Sequence, residues 1–145
     1  MDFNLILCAV DFSETSDRAF DYSVELARKL GAKIRVIHVF QISATALPGG
    51  LLVAPIDYEN MLQEQLQDRL DTYIENKKVK DVEITTDICE GIPYLEITQA
   101  ATDVHADMIV VGTHGRTGLP HMLMGSVAER VVRTADVPVV SVRWA

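Results

Sequence analysis

Five short apolar runs alternate with four helix-patterned stretches along this chain, and that alternation restricts the fold more than any other feature. Leu5-Ile6-Leu7-Cys8-Ala9-Val10 is continuously apolar, as a central parallel strand covered on both faces has to be. It ends at Asp11, and the capping hydroxyls and acids of Ser13-Glu14-Thr15-Ser16-Asp17 open a helix whose face is marked by Phe20, Val24, Ala27 and Leu30 and which Gly31 stops. Lys33 to Phe40 is a second strand. Residues 41–56 break all periodicity around Pro48-Gly49-Gly50 and Pro55. A helix from about Asp57 to Lys78 follows, with Met61, Leu62, Leu66, Leu70, Tyr73 and Ile74 as its buried stripe. Val82 to Ile88 alternates in strand fashion, and Pro93 suits the first turn of a helix carrying Leu95, Ile97, Ala100, Ala101 and Val104. A strand at 107–112, a helix from Ser126 to about Thr134 and a last strand from Val137 to Val142 complete the order. Strict β-α alternation calls for an α/β fold with a parallel sheet, helices on both faces and right-handed crossovers. Ligands of such doubly wound folds bind beyond the carboxyl ends of strands, where the strand order reverses. Asp11 and Gly112 both stand at such ends.

The fourth strand runs directly into glycines at 112, 115 and 118, and Gly125-Ser126 then opens the last helix. Glycines let a backbone take positive φ or come close to a ligand, and the first turn of a helix offers unpaired N–H groups with a partial positive charge. The arrangement suits phosphate, with the Ser126 hydroxyl as a further donor. It is neither GxxxxGK[ST] nor GxGxxG, so generic motifs yield only an anion-binding loop.

The full spacing, Gly112-x2-Gly115-x9-Gly125-Ser126, resembles the nucleotide-binding signature of the universal stress protein family, in its ATP-binding branch. The likeness extends through Gly112-Thr113-His114-Gly115-Arg116-Thr117-Gly118, the run Met124 to Arg130, which includes Val127, and Val137-Pro138-Val139. It covers about residues 3 to 143 and implies one nucleotide-binding domain over 1–145, with five strands in the order 3-2-1-4-5. It also implies that Asp11, within Val-Asp-Phe-Ser-Glu-Thr, contacts the ribose and that the Val39 backbone bonds the adenine edge. Gly112, Gly115, Gly125, Ser126 and Val127 then fall at the phosphates.

Each of these residues also has a plainer reading. Asp11 can simply cap the helix that starts near Ser13. Val39 can be a core valine, and His38 a packed strand histidine. Arg116 can make a charge-assisted phosphate bond or point to water, and His114 can be an exposed loop side chain. Met108, Met122 and Met124 are flexible core filling, and Val131-Val132 is core by helical spacing. His105 and His121 lack metal-ligand spacing.

The net charge of −8 argues against nucleic-acid binding, which leaves a basic footprint. Its distribution favours a small polyanion near the C-terminal segment, because residues 112–145 carry +2 and residues 1–111 carry −10. Cys8 and Cys89 lie in strands without CxxC spacing and read as two buried thiols. No leader pattern and no membrane-length apolar run is present, so the expectation is a soluble, cytoplasmic protein without a membrane partner.

The sequence therefore points to a stress-response protein that binds ATP with magnesium at the carboxyl ends of strands one and four and acts as a nucleotide-dependent switch. No residue is assigned to catalysis, since neither a general base nor a Walker-type lysine is evident. A slow ATP hydrolase and a nucleotide-free, chaperone-like module are the alternatives. A homodimer paired through strand 137–142 is expected, because a short apolar edge strand is usually covered.

Overall fold

The structure is a computed structural model that describes residues 1–42, 56–114 and 124–143. Its elements are β1 (Leu5–Ala9), α1 (Glu14–Leu30), β2 (Lys33–Phe40), α2 (Ile56–Lys77), β3 (Ile84–Glu90), α3 (Pro93–Asp103), β4 (Met108–Gly112), α4 (Ser126–Thr134) and β5 (Val139–Val142). The strands form one all-parallel sheet in the order β3-β2-β1-β4-β5. This is the order that the family resemblance implies. It places the reversal between β1 and β4, in the register Ile6 to Met108 and Cys8 to Val110.

Alternation along the central strands divides the core into two layers. Ile6, Cys8, Val10, Ile34, Val36 and Phe40 pack on one face against Ala19, Phe20, Val24 and Ala27 of α1 and Leu70 of α2. Leu7, Ile37, Ile109 and Val111 pack on the other against Ile97 and Ala101 of α3 and Ala128 and Val131 of α4. Burying a side chain such as Phe20, which is fully enclosed, contributes about 1.5–3 kcal/mol.

The helix ends obey local chemistry. The Ser13 side chain accepts the Ser16 N–H at 3.2 Å and caps α1, which Gly31 ends at φ 69° by donating its N–H to Ala27. A serine cap of this kind is worth about 1 kcal/mol. Pro93 occupies the first turn of α3, where no N–H partner is required.

Four apolar positions expected on buried faces are exposed instead: Leu30, Met61, Leu95 and Val132. Neighbouring helix residues point about 100° apart, so only one of Val131 and Val132 can face the sheet, and it is Val131. Cys8 is buried as expected, whereas Cys89 is only half-buried because β3 is an edge strand. Strand β5 begins at Val139 and β3 at Ile84, each two residues later than the apolar pattern suggests. The residues before β5 still contribute, since the Pro138 carbonyl accepts the Ile109 N–H at 2.9 Å.

Candidate functional site

Beyond Ala9 the chain leaves the sheet through a turn held by hydrogen bonds at Val10, Asp11 and Ser13. The Val10 N–H donates to the Ile37 carbonyl at 2.9 Å, and the Val10 carbonyl accepts a 2.7 Å bond from the buried His38 ring at Nδ1. The Asp11 N–H donates to Ser16 Oγ at 3.2 Å, while Asp11 Oδ1 accepts the Ser13 N–H at 2.9 Å. Asp11 is thus not itself the cap of α1, a place that Ser13 takes; it braces the capping residue through the Ser13 N–H. One carboxylate oxygen suffices for that bond, so bracing Ser13 and contact with a ligand are compatible. Phe12, between them, adopts φ 64°, a left-handed conformation that costs a side-chain-bearing residue about 1–2 kcal/mol.

At the end of β4 the first turn of α1 closes on the strand. The Thr15 hydroxyl donates to the His114 carbonyl, and the buried Thr113 hydroxyl lies 2.9 Å from His114 Nδ1. A Cβ on Gly112 would stand 2.8 Å from the Thr15 carbonyl carbon and 3.0 Å from the Ser16 nitrogen. Gly125 donates its N–H to the Thr113 carbonyl, and a Cβ there would stand 2.7 Å from that same oxygen. Both residues are glycine because backbones meet there. Positive φ, the other reason the sequence suggests, does not apply: among the described glycines only Gly31 and Gly91 adopt it, and Gly125 lies at φ −70°.

Gly125 is also the N-cap of α4 and offers no side-chain bond to the first turn. The early N–H groups of α4 therefore face the cleft beside exposed Ser126 and Val127 with the positive end of the helix dipole. The first turn of α1 reaches the same place through Ser16.

These elements enclose a cleft of about 560 Å³ at the carboxyl ends of β1, β2 and β4. Asp11, Val39, Gly112, Gly125, Ser126 and Val127, expected from sequence to share a site, all line it; Gly115 and Arg116 lie outside the described residues. His38 and His114 line it as well. Sequence reasoning missed Ser16, Gln41 and Thr113, and the apolar wall of Pro93 and Ile97. Ser16 was legible only as one hydroxyl in a capping run, and Pro93 only as a helix starter. Among the described residues, no group of three His, Cys, Asp or Glu side chains is placed to hold a metal ion. Nor is any described helix long and apolar enough to cross a membrane.

The model of the universal stress protein family matches residues 3–143. This chain belongs to that family. Universal stress protein MJ0531 of Methanocaldococcus jannaschii is 34% identical over 97% of this chain and 82% of its own length. Among solved structures, that of protein MJ0577 from the same archaeon superimposes with a TM-score of 0.79 at 27% identity, covering 100% of this chain and 99% of its own. A universal stress protein from Archaeoglobus fulgidus, solved in complex with dAMP, shares the fold at a TM-score of 0.63 and 23% identity, covering 98% of this chain and 99% of its own. Universal stress proteins thus share both the sheet order and the chain path of this molecule.

Proposed function

We propose that this universal stress protein binds ATP in the cleft at the carboxyl ends of β1 and β4 and signals by occupancy, as a nucleotide-dependent switch in the cytoplasm. The observation that carries the reading is the convergence, on one cleft, of an apolar wall, a carboxylate with a spare oxygen and the open N-terminus of α4. A volume of about 560 Å³ suits a nucleotide, since small-ligand sites run from about 300 to 1,000 Å³. The dAMP complex of the Archaeoglobus protein is consistent with this ligand class, although at its sequence distance the likeness extends to the fold alone.

On this reading the parts of the ligand follow the sheet order. The base lies by the carboxyl end of β2, against Val39 and the side chains of Pro93 and Ile97, with its polar edge toward the Val39 backbone. The ribose lies beyond β1, at Asp11. The phosphates lie beyond β4, at Gly112, Gly125 and the N–H groups of Ser126 and Val127. Gly115 and Arg116 join that end on sequence grounds. Magnesium would travel with the triphosphate, coordinated by phosphate oxygens and water.

Binding, more than turnover, is what such groups supply. A helix N-terminus stabilises phosphate charge in the ground state as well as in the transition state, and uniform binding does not accelerate chemistry. Titration calorimetry tests the reading. One-to-one, saturable ATP binding is expected, weakened about tenfold in Asp11→Asn by loss of a charge-assisted bond. Absence of saturable binding, or an unchanged affinity in Asp11→Asn, contradicts it.

A further inference from the structure

Phe12 does not line the cleft, yet it holds the least favourable backbone conformation beside it. The other described residues with side chains and positive φ, Lys78 and His105, follow the ends of α2 and α3, where a left-handed residue is ordinary. Phe12 sits between a strand and a helix start, so no helix end accounts for it. Its ring is held from three directions in the fold: the His38 ring at 4.8 Å, the edge of Tyr73 at 6.0 Å and the Arg69 guanidinium at 4.0 Å. His38 is itself tied to the Val10 carbonyl, so the grip on Phe12 reaches the residue before Asp11.

We propose that Phe12 is a positioning residue: its clamped ring keeps the backbone left-handed, and that conformation aims the spare carboxylate oxygen of Asp11 at the hydroxyls of a bound ribose. The inference rests on the nucleotide reading given above. The left-handed residue brings the Ser13 N–H back to Asp11 Oδ1, and the 2.9 Å bond fixes the plane of the carboxylate. Oδ2 then has no protein partner among the described residues, on a side chain that lines the cleft. Without the clamp nothing offsets the strain of residue 12, and the turn relaxes to a conformation in which the carboxylate is no longer directed. Arg69 and Tyr73 belong to α2, so the aim of Asp11 depends on a helix that contributes no described residue to the cleft.

The experiment compares ATP with 2′,3′-dideoxy-ATP, which lacks the hydroxyls that Asp11 would bind, by calorimetry on the parent, Phe12→Ala and Asp11→Ala. The parent is expected to prefer ATP about tenfold, the scale of hydrogen bonds to a charged group. In Phe12→Ala that preference is expected to fall to the level of Asp11→Ala, while affinity for the dideoxy nucleotide stays within about twofold. Should Phe12→Ala fail to fold, Phe12→Leu keeps the apolar bulk without the ring stack and carries the same expectation. Equal weakening of both nucleotides would mark Phe12 as merely structural, and an unchanged preference would remove its role; either overturns the inference alone. A parent that binds neither nucleotide overturns the nucleotide reading, and this inference with it.

Discussion

Gly112 and Gly125 illustrate how one residue type can serve two demands. Glycine recurrence drew attention to a phosphate site, but at these two positions the absent Cβ is first of all what lets β4, α1 and the start of α4 touch backbone to backbone. Gly112→Ala and Gly125→Ala are therefore expected to destabilise the protein by about 1–3 kcal/mol through overpacking, in addition to any effect on binding. Urea denaturation midpoints with an unchanged slope check this. Cys8 makes a separate prediction. Burial pushes its thiol up to about 12, so a thiol-specific reagent at pH 8 should leave it unmodified until the chain unfolds. Cys89, half-buried and also shifted upward by burial, should react first but slowly. Rapid native-state labelling of Cys8 would contradict its place in the core.

At the scale of elements, α1 and α2 are joined by a polar cluster at the edge of the first core layer. Lys77 reaches Asp17 at 2.5 Å and Asp21 at 2.8 Å, and the Tyr73 hydroxyl donates to Asp17 at 2.7 Å. Burial pushes the Asp17 carboxyl up, but the bonds from Lys77 and Tyr73 outweigh it and hold the group below its ordinary 3.8. Burial pulls the Lys77 ammonium down, and its bonds to Asp17 and Asp21 raise it above 10.5. The signs follow from linkage. The Asp17 contribution is present above pH 3.8 and is lost as pH falls through the lowered value. The Lys77 contribution is present below pH 10.5 and is lost as pH rises through the raised one. Asp17→Asn should therefore flatten the acid limb of stability against pH, measured by thermal melts from pH 2 to 7, and leave the alkaline limb less affected. Tyr73→Phe should cost about 1 kcal/mol at neutral pH. This cluster was not legible in the sequence, because Asp17 and Lys77 are 60 positions apart and each reads as a solvated helix charge. Elements were legible where periodicity and punctuation agree: β2, the Gly31 stop, Pro93 and α4 from Ser126 to Thr134. Edge strands were less so, since at β3 and β5 the apolar pattern starts two residues before the strand does, at Val82 and Val137.

For the whole molecule, local pattern fixes the α/β class but cannot state which strands are neighbours, so the 3-2-1-4-5 order came from the family likeness. That order is what turns Asp11 and Gly112, 101 positions apart, into two sides of one cleft. The hydroxyls of Thr15, Ser16 and Thr113 could not be assigned from sequence, because only the folded chain brings α1 against the end of β4. Strand β5 pairs with β4 on one side, and its other edge is proposed to pair with a second copy about Val140. Light scattering at micromolar concentration should give a dimer, and a charged substitution such as Val140→Lys should weaken it. Turnover should stay far below the roughly 10 s⁻¹ median of enzymes, because the groups proposed for the phosphate end would bind charge without positioning water. The most direct test of the central claim is to denature the purified protein and weigh what it releases. An adenine nucleotide in near-stoichiometric amount, or its full uptake when ATP is added before purification, is the expected result. Release of a different molecule from the cleft, or no nucleotide after incubation with saturating ATP, would contradict it.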